Sequence, residues 1–241
     1  MEFLPLKTRR FLPPKDDLYE LLNSSLPKLQ NKDLLFLTSK IISIGQGRAV
    51  PAKSMAQKMK LIKAEADAYF PRHLHGLTLK DQTLTPYAGI DRSNANNHYV
   101  LWPKNPPLAA KTIYNYLRRR HQVKNLGIII IDSFCLPLRW GHMGISIGFY
   151  GFHPNRPYNG QPDIFNHTII QANSNLIDAL SAFAGILMGE GNDQTPLLLT
   201  RGCDFIKFTD KNTLSELKIP AGQVDLYSPL LKPLLRPRHQ V

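Results

Sequence analysis

Leu126-Gly-Ile-Ile-Ile-Ile-Asp132-Ser133-Phe134 is the stretch on which the fold turns. Four consecutive isoleucines after a glycine leave no polar face. So short and β-branched a run reads as a central strand buried on both sides. It ends in Asp132 and Ser133, then in the irregular Cys135-Leu-Pro-Leu-Arg-Trp-Gly141. The C-terminal end of a buried strand is where open α/β sheets gather ligand chemistry. An aspartate there can also simply cap the following turn.

Upstream of this strand, Thr8 to Pro14 reads as extended and is closed by Pro13-Pro14. Asp16 and Asp17 suit a helix N-terminus, with Leu18, Leu21 and Leu22 on the apolar face. Asp33 to Ile44 reads as a buried strand interrupted at Thr38-Ser39-Lys40, and Gly45 to Arg48 as a loop. Ala52 to Phe70 has helical spacing, and Leu74 to Gly89 suggests short strands. Pro107 suits the first turn of a helix that runs to about Arg120 and feeds the central strand.

Downstream, Gly144 to Gly151 reads as another strand and Asn155 to Asn159 as a polar loop. Asn173 to Gly189 reads as a helix with Leu176, Leu180, Phe183 and Leu187 in one stripe. Pro196 to Thr200 reads as a second buried strand. Strands and helices mix without clean βαβ alternation, so the expected class is α+β. One domain is expected over residues 1–228, followed by a proline-broken basic tail over 229–241.

A chain of 241 residues, 43% hydrophobic, can bury a sizeable core. No apolar run approaches the roughly 20 residues of a membrane span. Two cysteines, Cys135 and Cys203, imply no disulfide framework and fit a reducing cytoplasm. The net charge of +12 suits an anionic partner such as nucleotide phosphates or a polycarboxylate. The basic residues are dispersed, without an aromatic RNA-binding motif or zinc-finger spacing, so neither nucleic acid nor a membrane is an expected partner.

Two other segments share the character of Asp132-Ser133. Gly89-Ile-Asp91-Arg-Ser-Asn94 sets a carboxylate, a hydroxyl and an amide behind a glycine. In Met188-Gly-Glu190-Gly-Asn192 a glutamate follows the C-terminus of a helix, where it is disfavoured by about 0.3–1 kcal/mol unless a cation is near. Taken singly, each also reads as a capping turn or a solvated loop. Together, three acidic groups at the ends of elements suit oxygen coordination of magnesium or manganese. Gly144-Ile-Ser146-Ile-Gly148 has the spacing of a hydrolase nucleophile elbow, but the segment after it cannot be the required helix. There is no paired-histidine zinc spacing and no Gly-x-x-x-x-Gly-Lys loop.

The order of several short motifs resembles the coenzyme F420-0:γ-glutamyl ligase family. They are Ser39-Lys40-Ile-Ile-Ser43 with Gly47-Arg48, Ala88 to Asn94, Ile131 to Phe134 with Arg139 and Gly141, Asp178, Met188-Gly-Glu190, and Arg201-Gly202. The resemblance implies an α+β fold forming an intertwined homodimer. It also implies an enzyme that uses GTP and two Mn2+ or Mg2+ ions, with K+ a further candidate, to join L-glutamate to a carboxylate of F420-0. Carried over, it makes Asp91, Asp132, Ser133 and Glu190 metal ligands. Phe11, Leu12, Pro13, Pro14, Ser39, Lys40, Asn94, Gly189 and Gly191 would contact the nucleotide. Lys40 or Arg139 would hold a phosphate or the incoming glutamate. A folate-like acceptor and a non-catalytic nucleotide- or metal-binding homologue are the alternatives. The chain departs from the family at Ile44, where lysine is usual, at Gln46, and at Cys135, Leu136 and Leu138 after the Asp132-Ser-Phe motif. Ile177-Asp-Ala179 likewise replaces the family's Ala-Asp-Glu. These changes imply weaker nucleotide binding and a reshaped acceptor pocket.

Overall fold

The computed structural model describes residues 1–69, 76–219 and 225–231. The N-terminal half runs β1 (Glu2–Leu6), α1 (Leu18–Ser25), β2 (Asp33–Thr38), α2 (Ser39–Gly45), β3 (Ala49–Pro51) and α3 (Met55–Glu65). It continues through β4 (Ala68–Tyr69), β5 (Leu77–Lys80), β6 (Thr83–Pro86), a 3-10 turn at Tyr87–Gly89, β7 (His98–Val100) and α4 (Pro106–His121). Then come β8 (Leu126–Phe134), β9 (Met143–Tyr150), β10 (Asn155–Pro157), β11 (Asn173–Asn175), α5 (Leu176–Met188) and β12 (Leu197–Arg201). Short helices α6 (Leu214–Leu217) and α7 (Ser228–Leu231) follow. The fold is α+β, with α7 reaching into the expected tail. Residues 232–241 of that tail, and Phe70 and Leu74 at the edges of two expected elements, lie outside the described residues.

The main sheet has the order β1-β12-β2-β8-β9, in which β2 and β8 run parallel and the other neighbours antiparallel. The isoleucine strand is therefore interior, one place from the edge, while the middle position belongs to β2. Its burial on both faces holds, because a strand's side chains alternate. Leu126, Ile128 and Ile130 enter one core with Trp102, Ile113 and Leu117, whereas Ile129 and Ile131 enter a second with Ile177, Ala184 and Phe149. Leu35 and Leu37 of β2 join the first core, and Leu34 and Phe36 the second. Three-stranded (β4-β5-β6) and two-stranded (β3-β7) sheets stand apart from this one.

Several sequence expectations change. Ser39 to Ile44, read as continuing a strand, is helix α2, and Ser39, Ile41, Ile42, Ser43 and Ile44 are all buried there. A short helix buried around its whole circumference shows no amphipathic period and looks like a buried strand. The helix expected over 52–70 is confined to α3, capped by the Ser54 hydroxyl, before the chain turns into β4. The start of the 173–189 helix and part of the 155–159 loop pair instead as β10 and β11. The buried face of α5 is Ile177, Leu180, Ser181, Ala184 and Met188, and Phe183 is largely exposed.

The Gly144-x-Ser-x-Gly148 pattern is a packing device. A Cβ on Gly144 would overlap the Ser181 carbonyl of α5, and one on Gly148 would overlap Pro106 at the start of α4. Ser146 is buried between them, and its N–H donates to Asp178 Oδ1 at 3.0 Å. Its hydroxyl makes only a 3.5 Å contact with the Gly148 carbonyl. Ser146→Ala is therefore expected to change stability by less than about 1 kcal/mol and to leave turnover unchanged. A large loss of activity in that variant would restore a nucleophilic serine.

Candidate active site

The parallel pairing of β2 with β8 brings both C-terminal ends to one end of the sheet. There, α2 starts at Ser39 and β8 ends at Asp132-Ser133-Phe134. A cavity of about 1090 Å³ opens at this end. Its wall includes Asp91, Asp132, Ser133 and Glu190, together with Phe11, Leu12, Pro13, Ser39, Lys40, Asn94, Gly189 and Gly191. Segments more than a hundred residues apart thus meet there.

Strand alternation divides the site. Asp132 points to the side of the first core, where its Oδ1 accepts the Ser39 hydroxyl at 2.9 Å and its Oδ2 accepts the Trp102 indole N–H. Ser133 points the opposite way and donates to Glu190 Oε1 at 2.8 Å, just beyond the C-terminus of α5. The cavity wraps around the strand end and meets both. This division explains why, among the described residues, no three acidic, histidine or cysteine side chains converge around a single point.

On the Asp132 side, Asp91 is fixed by a two-way backbone bridge to Val100. Its Oδ1 accepts the N–H groups of Arg92 and Ser93, and its Oδ2 accepts the Lys40 ammonium at 2.5 Å. Lys40 also donates to the Ser93 carbonyl at 2.6 Å and the Ser93 hydroxyl at 3.1 Å. Three oxygens already surround a cation here. Asn94, in the left-handed region at φ 52°, donates to the Gly191 carbonyl at 2.7 Å and ties this loop to the one carrying Glu190. The N-terminal segment joins the same loop through Thr8 N–H to the Gln194 carbonyl at 3.0 Å. Asp16 then shapes the segment's next turn by accepting the Leu12 N–H at 2.9 Å and pairing with Arg9 at 2.8 Å.

The two aspartates differ in ionisation. Burial pushes Asp91 up, but the Lys40 ammonium and the Ser93 donors outweigh it and hold the carboxyl at about 2. Burial dominates at Asp132 and raises it to about 6 against its bonds from Trp102 and Ser39. A carboxylate this reluctant to ionise favours a proton or a metal ion beside it. The donor set of carboxylates and a hydroxyl fits a hard divalent cation, which commonly takes one or two carboxylates and fills its remaining positions with water and phosphate oxygens. Asp132 and Asp91 could serve an ion on one side of the strand end, and Ser133 and Glu190 one on the other.

Two expected residues lie elsewhere. Arg139 sits in the exposed loop after β8, outside the cavity wall, its N–H donating to the Leu136 carbonyl at 3.3 Å. Pro14 is exposed and also stands outside that wall, although Phe11 to Pro13 line it. Ile44 lines the cavity and packs in a small apolar cluster with Ala49, Ala95 and Val100. Trp102, Lys58 and Tyr87 belong to no motif that marks them as site residues in the sequence. Lys58 lies 4.3 Å from the centre of the Tyr87 ring, and both line the cavity.

The F420-0:Gamma-glutamyl ligase family model matches residues 9–202. A Coenzyme F420:L-glutamate ligase of Methanosarcina mazei is 27% identical over 195 residues, covering 73% of this chain and 76% of its own length. One from Archaeoglobus fulgidus is 28% identical over 224 residues, covering 84% and 88%. One from Halobacterium salinarum is 32% identical over 119 residues, covering 49% and 45%.

Proposed function

The chain belongs to the F420-0:γ-glutamyl ligase family, and from that premise we propose that it joins L-glutamate to a carboxylate of an F420-0-like acceptor, using GTP and divalent metal ions. The observation that carries this reading is the cavity at the ends of β2 and β8, into which Asp91, Asp132, Ser133 and Glu190 all open. An amide does not form from a bare carboxylate and an amine, so the acceptor must first be activated. An acceptor carboxylate oxygen attacks the γ-phosphorus, GDP leaves, and an acyl phosphate results. The glutamate amine then attacks the acyl carbon, phosphate departs with the C–O bond electrons, and the amine loses a proton.

Phosphoryl transfer mainly asks for positioning and charge neutralisation, which divalent ions at the four oxygen-bearing residues would supply. The chain's own groups orient the reactants. Ser39 and Trp102 fix the Asp132 carboxylate, and Asp91 with Ser93 fixes Lys40 beside it. Were an ion to take the Asp91 carboxylate, the Lys40 ammonium now bonded to it would be free to meet a phosphate oxygen. Arg139 is exposed and stands outside the cavity wall.

Mass spectrometry tests the reaction directly. With GTP, Mn2+ and L-glutamate, F420-0 is expected to gain a glutamyl unit while GTP is converted to GDP. If neither F420-0 nor a folate gains one while Mn2+ and GTP still bind, the chain is a binding homologue.

The elevated Asp132 carboxyl gives a second prediction. A proton competes with the cation for that carboxylate, so Mn2+ affinity is expected to be flat above about pH 6 and to fall below it. The fall should approach about tenfold per pH unit as one proton is displaced per ion. Titration calorimetry between pH 5 and 8 reads this, and a flat profile throughout would remove Asp132 from the ligand set.

A further inference from the structure

We propose that Trp102 is the positioning residue for Asp132, its indole N–H holding that carboxylate in the orientation in which it faces a divalent cation. The inference rests on the cation reading above and adds to it a residue outside the proposed ligand set. Asp132 has two anchors, the Ser39 hydroxyl on Oδ1 and the Trp102 indole on Oδ2. The two anchors are not equivalent. A serine hydroxyl rotates and can donate or accept, whereas the indole N–H can only donate. Trp102 therefore accepts no alternative partner geometry and selects a carboxylate oxygen turned toward it.

The ring itself is fixed. Trp102 is only 2% exposed and lies in the first core. Its carbonyl accepts Arg48 Nε at 2.6 Å, and the Arg48 carbonyl accepts the preceding Leu101 N–H at 3.0 Å. Arg48 in turn pairs with Glu65 at 2.7 Å, and Lys80 holds the same Glu65 oxygen at 2.8 Å. On its remaining side the indole abuts Gly89, where any Cβ would overlap the ring nitrogen. A charge network thus holds the backbone at Trp102, while a core and a glycine hold a ring whose only polar atom is aimed at Asp132. Hydrogen-bond partners of metal ligands commonly set affinity by 10–100-fold.

The experiment uses the full chain and Mn2+ alone as probe. The sequence has two tryptophans, and Trp140 is fully exposed. In a Trp140→Phe background the remaining emission comes from Trp102, and paramagnetic Mn2+ is expected to quench it saturably while Mg2+ is not. Trp102→Phe keeps an aromatic ring and removes the N–H. Its Mn2+ dissociation constant, measured by calorimetry, is expected to rise about 10–100-fold. Should Trp102→Phe fail to fold, incorporating 3-benzothienylalanine at position 102 keeps the bicyclic shape and replaces only the N–H by sulfur. An Mn2+ affinity within twofold of wild type in the sulfur isostere, while Asp132→Asn loses Mn2+, overturns the positioning role and leaves the cation reading standing. Undiminished Mn2+ binding by Asp132→Asn itself overturns the cation reading, and the positioning role with it.

Discussion

Asparagine at position 132 is expected to abolish the thermal stabilisation that Mn2+ and GTP together confer, while raising the melting temperature of the cation-free protein. The two effects have opposite signs because the same burial causes both. In the folded chain Asp132 is raised from 3.8 to about 6 by burial. The folded state therefore holds a proton that the unfolded chain has released, and the stability from this group is lost as pH rises through about 6. At neutral pH the ionised side chain costs up to about 3 kcal/mol. An amide of the same shape avoids that cost and keeps both anchors, its oxygen accepting from Trp102 and its NH2 donating to Ser39. For a chain of this size the gain corresponds to roughly 5–10 °C near neutral pH. Without the charge, cation neutralisation of the transferring phosphoryl group weakens by several kcal/mol, which is about 10³-fold in turnover. Differential scanning calorimetry with and without Mn2+ and GTP, beside a GDP-release assay, reads all three. A cation-free Asp132→Asn protein that melts lower than wild type would show that burial is not what raises this carboxyl.

Gly89→Ala is expected to destabilise the chain and weaken the site together. Gly89 has φ +71°, and it follows Tyr87 and Ala88, which also lie in the left-handed region at 55° and 52°. An alanine there adds backbone strain of about 1–2 kcal/mol. Its Cβ would also overlap the Trp102 indole, and forcing volume into a packed core costs typically about 1–3 kcal/mol more. A loss of about 2–5 kcal/mol, or roughly 5–15 °C in melting temperature, is expected. Because the ring that must move is bonded to Asp132, Mn2+ affinity should fall with stability. A Gly89→Ala chain that melts like wild type would mean that the 3-10 turn relaxes around the methyl group.

The isoleucine strand was legible because burial on both faces removes polar positions, a pattern that needs no partner to be recognised. Its terminal Asp132 and Ser133 were legible as chemistry for the same reason, since a carboxylate closing such a strand stands out. Strand alternation already sets those two neighbours facing opposite ways, but the sequence could not display which core lies on which side of the sheet, and so which groups each side chain meets. Helix α2 hid behind Ile41, Ile42 and Ile44, which are β-branched yet helical because they are enclosed on all sides. The stripe expected on α5 was right for Leu176, Leu180 and Leu187 but wrong at Phe183, because the contact with β9 runs through small residues, Gly185 and Ser181 against Gly144. Small groups allow close approach but carry little hydrophobic signal, so the eye follows Phe183 instead. Trp102 escaped notice because it lies 30 residues before the carboxylate it holds.

The order of strands in the main sheet has a consequence for how the chain comes to be folded. β12 lies between β1 and β2, pairing Leu199 with Leu4 on one side and with Leu35 on the other. On the ribosome, therefore, the first two strands wait with bare edges until residue 201 has left the exit tunnel, at about 5–20 residues per second. β2 can meet β8 earlier, but the strand that seals both early edges is the last of the sheet to be made. Pairings so distant along the chain fold slowly. During that interval Leu34, Leu35, Phe36 and Leu37, all fully buried in the finished protein, form an apolar segment open to other chains. Yield in a heterologous host is accordingly expected to depend on chaperone supply and on slow synthesis at low temperature more than on the stability of the finished fold.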